Sequence, residues 1–205
     1  MLRSCARDEP VQAVSPCTLE PQREAHAAEM FGVLCDPALH EFEGAPPASV
    51  AALAERLRRL EAGGPPDGSE RWLNWVVRRA DGRLAGYVQA TLPRAAPGLA
   101  LIAYVLGSTH WRQGLGSAAV RAMQAELHRH HGVHRFAAVL KAANFRSVAL
   151  LRSLGFVRAD TALEAAWRDE PDEIMMTLAA AAFTHEPAPT PAPEARLAGP
   201  HPPGA

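Results

Sequence analysis

Residues 99–119 read LALIAYVLGSTHWRQGLGSAA. The run from Leu99 to Leu106 is too uniformly apolar for a strand with one wet face, so it is expected at the centre of a sheet. Trp111-Arg112-Gln113-Gly114-Leu115-Gly116-Ser117 follows and opens a helical stretch from Ala118 to His130. Glycines at a strand-to-helix turn let the backbone come close to a ligand. The first amides of the helix have no intrahelical partner and lie at the positive end of its dipole. Phosphates bind at such termini, and a diphosphate-bearing ligand is the first functional expectation.

Working outward, the 205 residues are 48% hydrophobic with a formal net charge of −1. That supports one core-forming domain and gives no electrostatic argument for a nucleic-acid partner. No run approaches the length needed to span a bilayer, so no membrane association is expected. The start, MLRSCARDEPVQ, lacks an apolar segment of the secretory type. Cys5, Cys17 and Cys35 are odd in number and lack metal-ligand spacing, which fits thiols in a reducing cytoplasm.

Residues 1–14 read as a flexible leader and residues 15–183 as the folded domain. Residues 184–205 are rich in Pro, Ala and Gly and too poor in large apolar side chains to offset ordering entropy, so they read as a disordered tail. Within the domain, Cys17-Thr18-Leu19 suits a first strand, and Glu24 to Cys35 has helical spacing limited by Pro37. Ser49 is placed to cap a helix whose stripe is Leu53, Leu57 and Leu60. Leu73 to Val77 and Arg83 to Leu92 form strands joined at Asp81-Gly82, a hairpin signal. The central strand, the glycine loop and a helix to His131 follow, with Gly132 as C-cap. Phe136 to Leu140 is a buried strand, Asn144 to Ser153 a helix, and Phe156 to Arg158 and Ile174 to Leu178 complete the sheet. The expected class is α+β: a mixed, mostly antiparallel sheet flanked by about four helices.

The glycine pair alone leaves several phosphate loops open. A dinucleotide fingerprint needs a third glycine, where Ala119 stands, and a preceding βαβ unit rather than hairpins. A nucleoside-triphosphate loop needs Gly-Lys-Ser/Thr, which is absent. A second segment narrows the field: Asn144, Ser147, Leu150 and the closing Leu154-Gly155-Phe156, about thirty residues downstream. With the Gly114–Gly116 loop, it resembles the GNAT superfamily of acetyl-CoA-dependent N-acetyltransferases. Trp111 in place of the leading basic residue, and Asp36-Pro37-Ala38-Leu39 at a helix end, resemble the branch that acetylates the N-termini of ribosomal proteins.

The resemblance implies a splayed strand pair forming an acetyl-CoA cleft. It implies that the amides of Gln113, Gly114, Leu115, Gly116 and Ser117 cradle the diphosphate of coenzyme A, with Arg112 at the rim. Backbone groups of Tyr104, Val105 and Leu106 would bond the pantetheine arm and polarise the thioester carbonyl. Asn144 matches the residue that bonds pantetheine, and Ser147 the serine proposed to protonate the departing thiolate. Many relatives use a tyrosine for that step; Leu151 stands at its position.

An amine attacks a thioester only when neutral, and its proton needs an acceptor. His40, Glu41 and Glu43, between the first two helices, and Glu164, after the last, are the candidates, with water-mediated deprotonation as an alternative. Asp36, Glu41 and Glu43 would favour a cationic acceptor at that end. His128, His130, His131 and His134 lie at a helix end, where they complement the dipole, so no metal is expected. The leading expectation is acetyl transfer from acetyl-CoA to a protein N-terminal amine or a small amine, by a monomer or homodimer. A non-catalytic acyl-CoA sensor on the same scaffold is the alternative, and an interaction protein acting through the tail a weaker one.

Overall fold

In the computed structural model, residues 16–42 and 44–179 are described. The expected leader and tail fall wholly outside them, as does Glu43. Among the described residues, the central strand expected from sequence is the middle of seven. In chain order the strands are β1 (Cys17–Pro21), β2 (Glu70–Arg79), β3 (Leu84–Pro93), β4 (Leu99–Leu106), β5 (Arg135–Lys141), β6 (Val157–Arg158) and β7 (Glu173–Ala179), and their order across the sheet is β1-β2-β3-β4-β5-β7-β6. All neighbours are antiparallel except β4 and β5.

Among the described residues five α-helices flank the sheet: α1 (Ala27–Leu34), α2 (Val50–Glu61), α3 (Leu115–His131), α4 (Phe145–Ser153) and α5 (Thr161–Trp167). The sequence reading of about four helices does not single out the fifth. Its seven residues are too few for a helical period to stand out, and Asp160, which accepts from the Leu163 amide at 2.8 Å, is its clearest local signal. The other ends follow local chemistry. Ser49 accepts from the Ala52 amide at 3.1 Å, and Gly132 ends α3 with φ of 66°. Pro37 opens a short 3-10 turn, Pro37–Glu41, as the α1 chain ends.

Strand alternation sends neighbouring side chains to opposite helical layers. Val77, Val88 and Leu106 pack with α3 and α4, together with Phe136, Met123 and Leu151. Val76, Leu84, Tyr87 and Val105 pack with α1 and α2 around Met30, Leu53 and Leu57. β4 therefore faces both layers, which its continuous apolar run requires.

The parallel pair decides where a site can form. β4 and β5 pair only from Leu99↔Arg135 to Leu101↔Ala137, yet β4 runs on to Leu106 and β5 to Lys141. Beyond that point β4 stays with β3 and β5 stays with β7. The sheet thus parts between its two central strands, at the end where α3 begins.

Candidate active site

A groove of about 730 Å³ opens where the strands part. Its first wall is the start of α3. Gly114 caps the helix at φ 77° with no side chain to occupy the first amides, and Gly114, Gly116 and Ser117 line the groove. Arg112 also lines it and holds φ of 60°, a left-handed conformation that costs a non-glycine residue energy. A Cβ on Gly116 would lie 2.7 Å from Leu150 Cδ1, so this glycine lets α3 approach α4 closely. The donor set suits a diphosphate: open helix amides, a hydroxyl and a guanidinium without an ion pair among the described residues. Gln113 and Leu115 are not among the lining residues. The Gln113 side-chain Nε2 donates to Thr109 O at 2.7 Å, and the Leu115 side chain is buried in the core.

The second wall is the start of α4, with Asn144, Arg146, Ser147 and Leu150. Asn144 Oδ1 accepts from the Ser147 amide at 3.1 Å and so caps the helix, leaving its Nδ2 as a donor. Ser147 is half-buried, and its carbonyl accepts from the Tyr104 hydroxyl at 3.3 Å. Leu151 packs fully into the core, away from any chemistry. The floor is Tyr104, Val105 and Leu106. The Leu106 carbonyl already accepts from the Trp111 indole N–H at 2.8 Å, so one of its two lone pairs is committed to the loop.

The far end is made by Ala38, Leu39, Phe42, His110 and Trp111. Here two of the three acidic residues expected to attract a cation, Asp36 and Glu41, are engaged. Asp36 accepts from the amides of Ser108 at 2.9 Å and Ala38 at 3.0 Å, tying the α1–α2 connection to the loop before α3. Hydrogen bonding from Ser108 is the main reason its carboxyl lies below the usual range. Glu41 pairs with Arg146 at 2.6 Å. His40 does not line the groove; its Nε2 faces Leu34 O at 2.8 Å and its Nδ1 faces Gly44 O, so both ring nitrogens hold the loop.

Glu164 lies elsewhere. It is buried on α5, where its carboxylate takes Arg158 Nε at 3.0 Å and Nη2 at 2.9 Å, with Arg168 at 3.7 Å. The hydrogen bonds from Arg158 are the largest cause of its lowered pKa. It is absent from the groove lining, and its partners fix the α5 segment against β7 instead.

His110 is not among the site residues expected from sequence. It is half-buried in the groove wall, and burial, then the positive charge of Arg79, lowers its pKa against an opposing pull from Asp81. It is therefore neutral at pH 7 with a lone pair to offer. Its place directly before Trp111 was the available signal. His130 pairs with Glu126 at 3.0 Å and His128 Nδ1 faces Val133 O at 2.9 Å, while no metal-holding group of three or more ligands occurs among the described residues.

A mostly antiparallel sheet whose single parallel pair parts beside a glycine-capped helix has the architecture expected of the GNAT class. A family model described as an acetyltransferase (GNAT) domain matches residues 17–157, and the chain belongs to that family, whose members transfer acetyl groups to amines. No curated protein matches the sequence. Among solved structures, Mycobacterium smegmatis RimJ in complex with CoA-disulfide is similar at a TM-score of 0.68 and 21% identity, over 81% of this chain and 83% of that one. A spermidine N-acetyltransferase SpeG chimera from Vibrio cholerae and hSSAT aligns at 0.66 and 18% identity, over 84% and 100%. The aminoglycoside acetyltransferase AAC(6')-Ib in complex with coenzyme A aligns at 0.65 and 22% identity, over 82% and 96%. At these identities the likeness is one of fold.

Proposed function

We propose that this protein transfers an acetyl group directly from acetyl-CoA to a primary amine, either a protein N-terminal α-amine or a small amine, in a ternary complex. The observation that carries the reading is the parting of β4 and β5 after Leu101 and Ala137, beside the open amides at the start of α3. The diphosphate sits on Gly114, Gly116 and Ser117, and Asn144 Nδ2 donates to the pantetheine arm. The thioester then lies near Ser147.

In the transfer a C–N bond forms and the C–S bond breaks. The nitrogen's proton goes to neutral His110, and the Ser147 hydroxyl protonates the departing thiolate. Solvent and His110 return the serine proton. His110 is chosen because it is the one imidazole among the described groove-lining residues, whereas Glu41 and His40 are engaged elsewhere. The exposed thiol of Cys35 supports a cytoplasmic location.

The test is an amine panel incubated with the protein and acetyl-CoA, followed by free thiol. Release dependent on one class of amine is expected. Binding of coenzyme A without release from any amine would leave an acyl-CoA-binding module instead.

A further inference from the structure

Arg146 is held in a built position at the far end of the groove. Its guanidinium carbon lies 4.3 Å from the centroid of the Trp111 ring and 5.9 Å from that of Phe42, both within cation–π reach. Its Nη2 donates to the Glu41 carboxylate at 2.6 Å. Glu41 and Phe42 come from the connection after α1, and Trp111 from the loop before α3, so two separate segments fix one fork. A guanidinium has five N–H donors, and among the described residues only Nη2 is engaged.

We propose that Arg146 selects the acceptor: its open N–H edge takes an oxygen on the carbon next to the amine-bearing carbon, as in a peptide N-terminus or a free α-amino acid. The inference rests on the groove being the acetyl-transfer site. Carbonyl and carboxylate oxygens both present in-plane lone pairs that the fork matches. An alkyl polyamine offers no such oxygen and brings a second positive charge toward a guanidinium.

Helix geometry sets the reach. Arg146 and Ser147 are consecutive, so their Cα atoms lie about 3.8 Å apart and their side chains diverge by roughly 100° around α4. Ser147 lines the groove beside Tyr104, and Arg146 turns to Trp111 and Phe42. An amine at the thioester therefore carries its neighbouring carbonyl toward the guanidinium. Glu41, expected from sequence to recruit a cation, instead orients the arginine.

Wild-type protein, R146Q and R146K are assayed for thiol release with acetyl-CoA and four acceptors: an alanyl peptide amide, free alanine, propylamine and spermidine. Corrected for the neutral fraction of each amine, the wild type is expected to favour the peptide or alanine. R146Q is expected to lose about ten- to a hundredfold in kcat/KM with the favoured acceptor, mostly through KM. The same change should move propylamine less than about threefold, and R146K should recover only part of the loss, because an ammonium lacks the fork. A loss confined to the peptide assigns the oxygen to a carbonyl, and one confined to alanine to a carboxylate. A preference for spermidine, an equal loss with every acceptor, or no loss overturns the assignment. If R146Q fails to bind coenzyme A by calorimetry, the peptide-to-propylamine ratio of R146K decides, and an unchanged ratio overturns it. A wild type that releases thiol with no amine overturns the acetyl-transfer reading itself.

Discussion

The indole N–H of Trp111 donates to the carbonyl of Leu106 at 2.8 Å, closing the loop between the end of β4 and the start of α3. The same ring carries the Arg146 guanidinium on its face. One side chain thus braces the glycine loop before α3 and the far end of the groove together.

Replacing Trp111 with phenylalanine keeps a ring for Arg146 but removes the N–H. We expect a loss of about 1 kcal/mol in stability and weaker coenzyme A binding, by roughly tenfold. Chemical denaturation and calorimetric titration measure the two. Unchanged coenzyme A affinity would show that the Trp111 bond does not set the loop.

Ser147→Ala removes the hydroxyl while leaving the Ser147 backbone N–H to donate to Asn144 Oδ1, so α4 keeps its cap. Turnover should fall by about 10- to 100-fold with coenzyme A affinity unchanged. A variant that turns over at the wild-type rate would remove Ser147 from proton transfer.

The lowered pKa of His110 has two consequences. As a base it works only when neutral, so kcat/KM should rise with pH through a value below the ordinary imidazole pKa of about 6.5. His110→Gln should abolish that limb of the profile. For stability, the unfolded chain takes up this proton at higher pH than the folded one. The contribution is therefore fully present above about pH 6.5 and is lost as pH falls through the folded value. His131, lowered by burial and Arg71, acts in the same direction. Thermal midpoints from pH 8 to pH 5 should fall in that window, and less so in His110→Gln.

Glu164→Gln leaves Arg158 and Arg168 without their carboxylate on α5. The thermal midpoint should drop while turnover per folded molecule stays at the wild-type level, because this carboxylate is not in the groove wall. Because its folded pKa is lowered, its stabilising effect is present above about pH 4.3 and is lost on further acidification. A selective fall in kcat would return Glu164 to the chemistry.

Local rules made much of this fold legible. Apolar periodicity marked the strands and four helices, and Asp81-Gly82 marked the β2–β3 turn. Glycine spacing located the start of α3, and Asn144 stood at the cap of α4, because each signal depends on residues only a few positions apart. The seven-residue α5 left no comparable period. Nor did charge type reveal which groups would reach the groove. His40, Glu41 and Glu164 were reasonable candidates by chemistry, yet each is engaged by a partner in the folded chain.

The sequence by itself determined the alternation of elements, the glycine-initiated helix and the family to which the paired motifs point. Only the tertiary structure decided that His110 stands in the groove wall while Glu164 does not, and that Arg146 lies between Trp111 and Glu41. The physical reason is separation along the chain. Glu41 and Arg146 are 105 residues apart, and no local propensity encodes a contact that exists only once the sheet has brought both helical layers to its parted end.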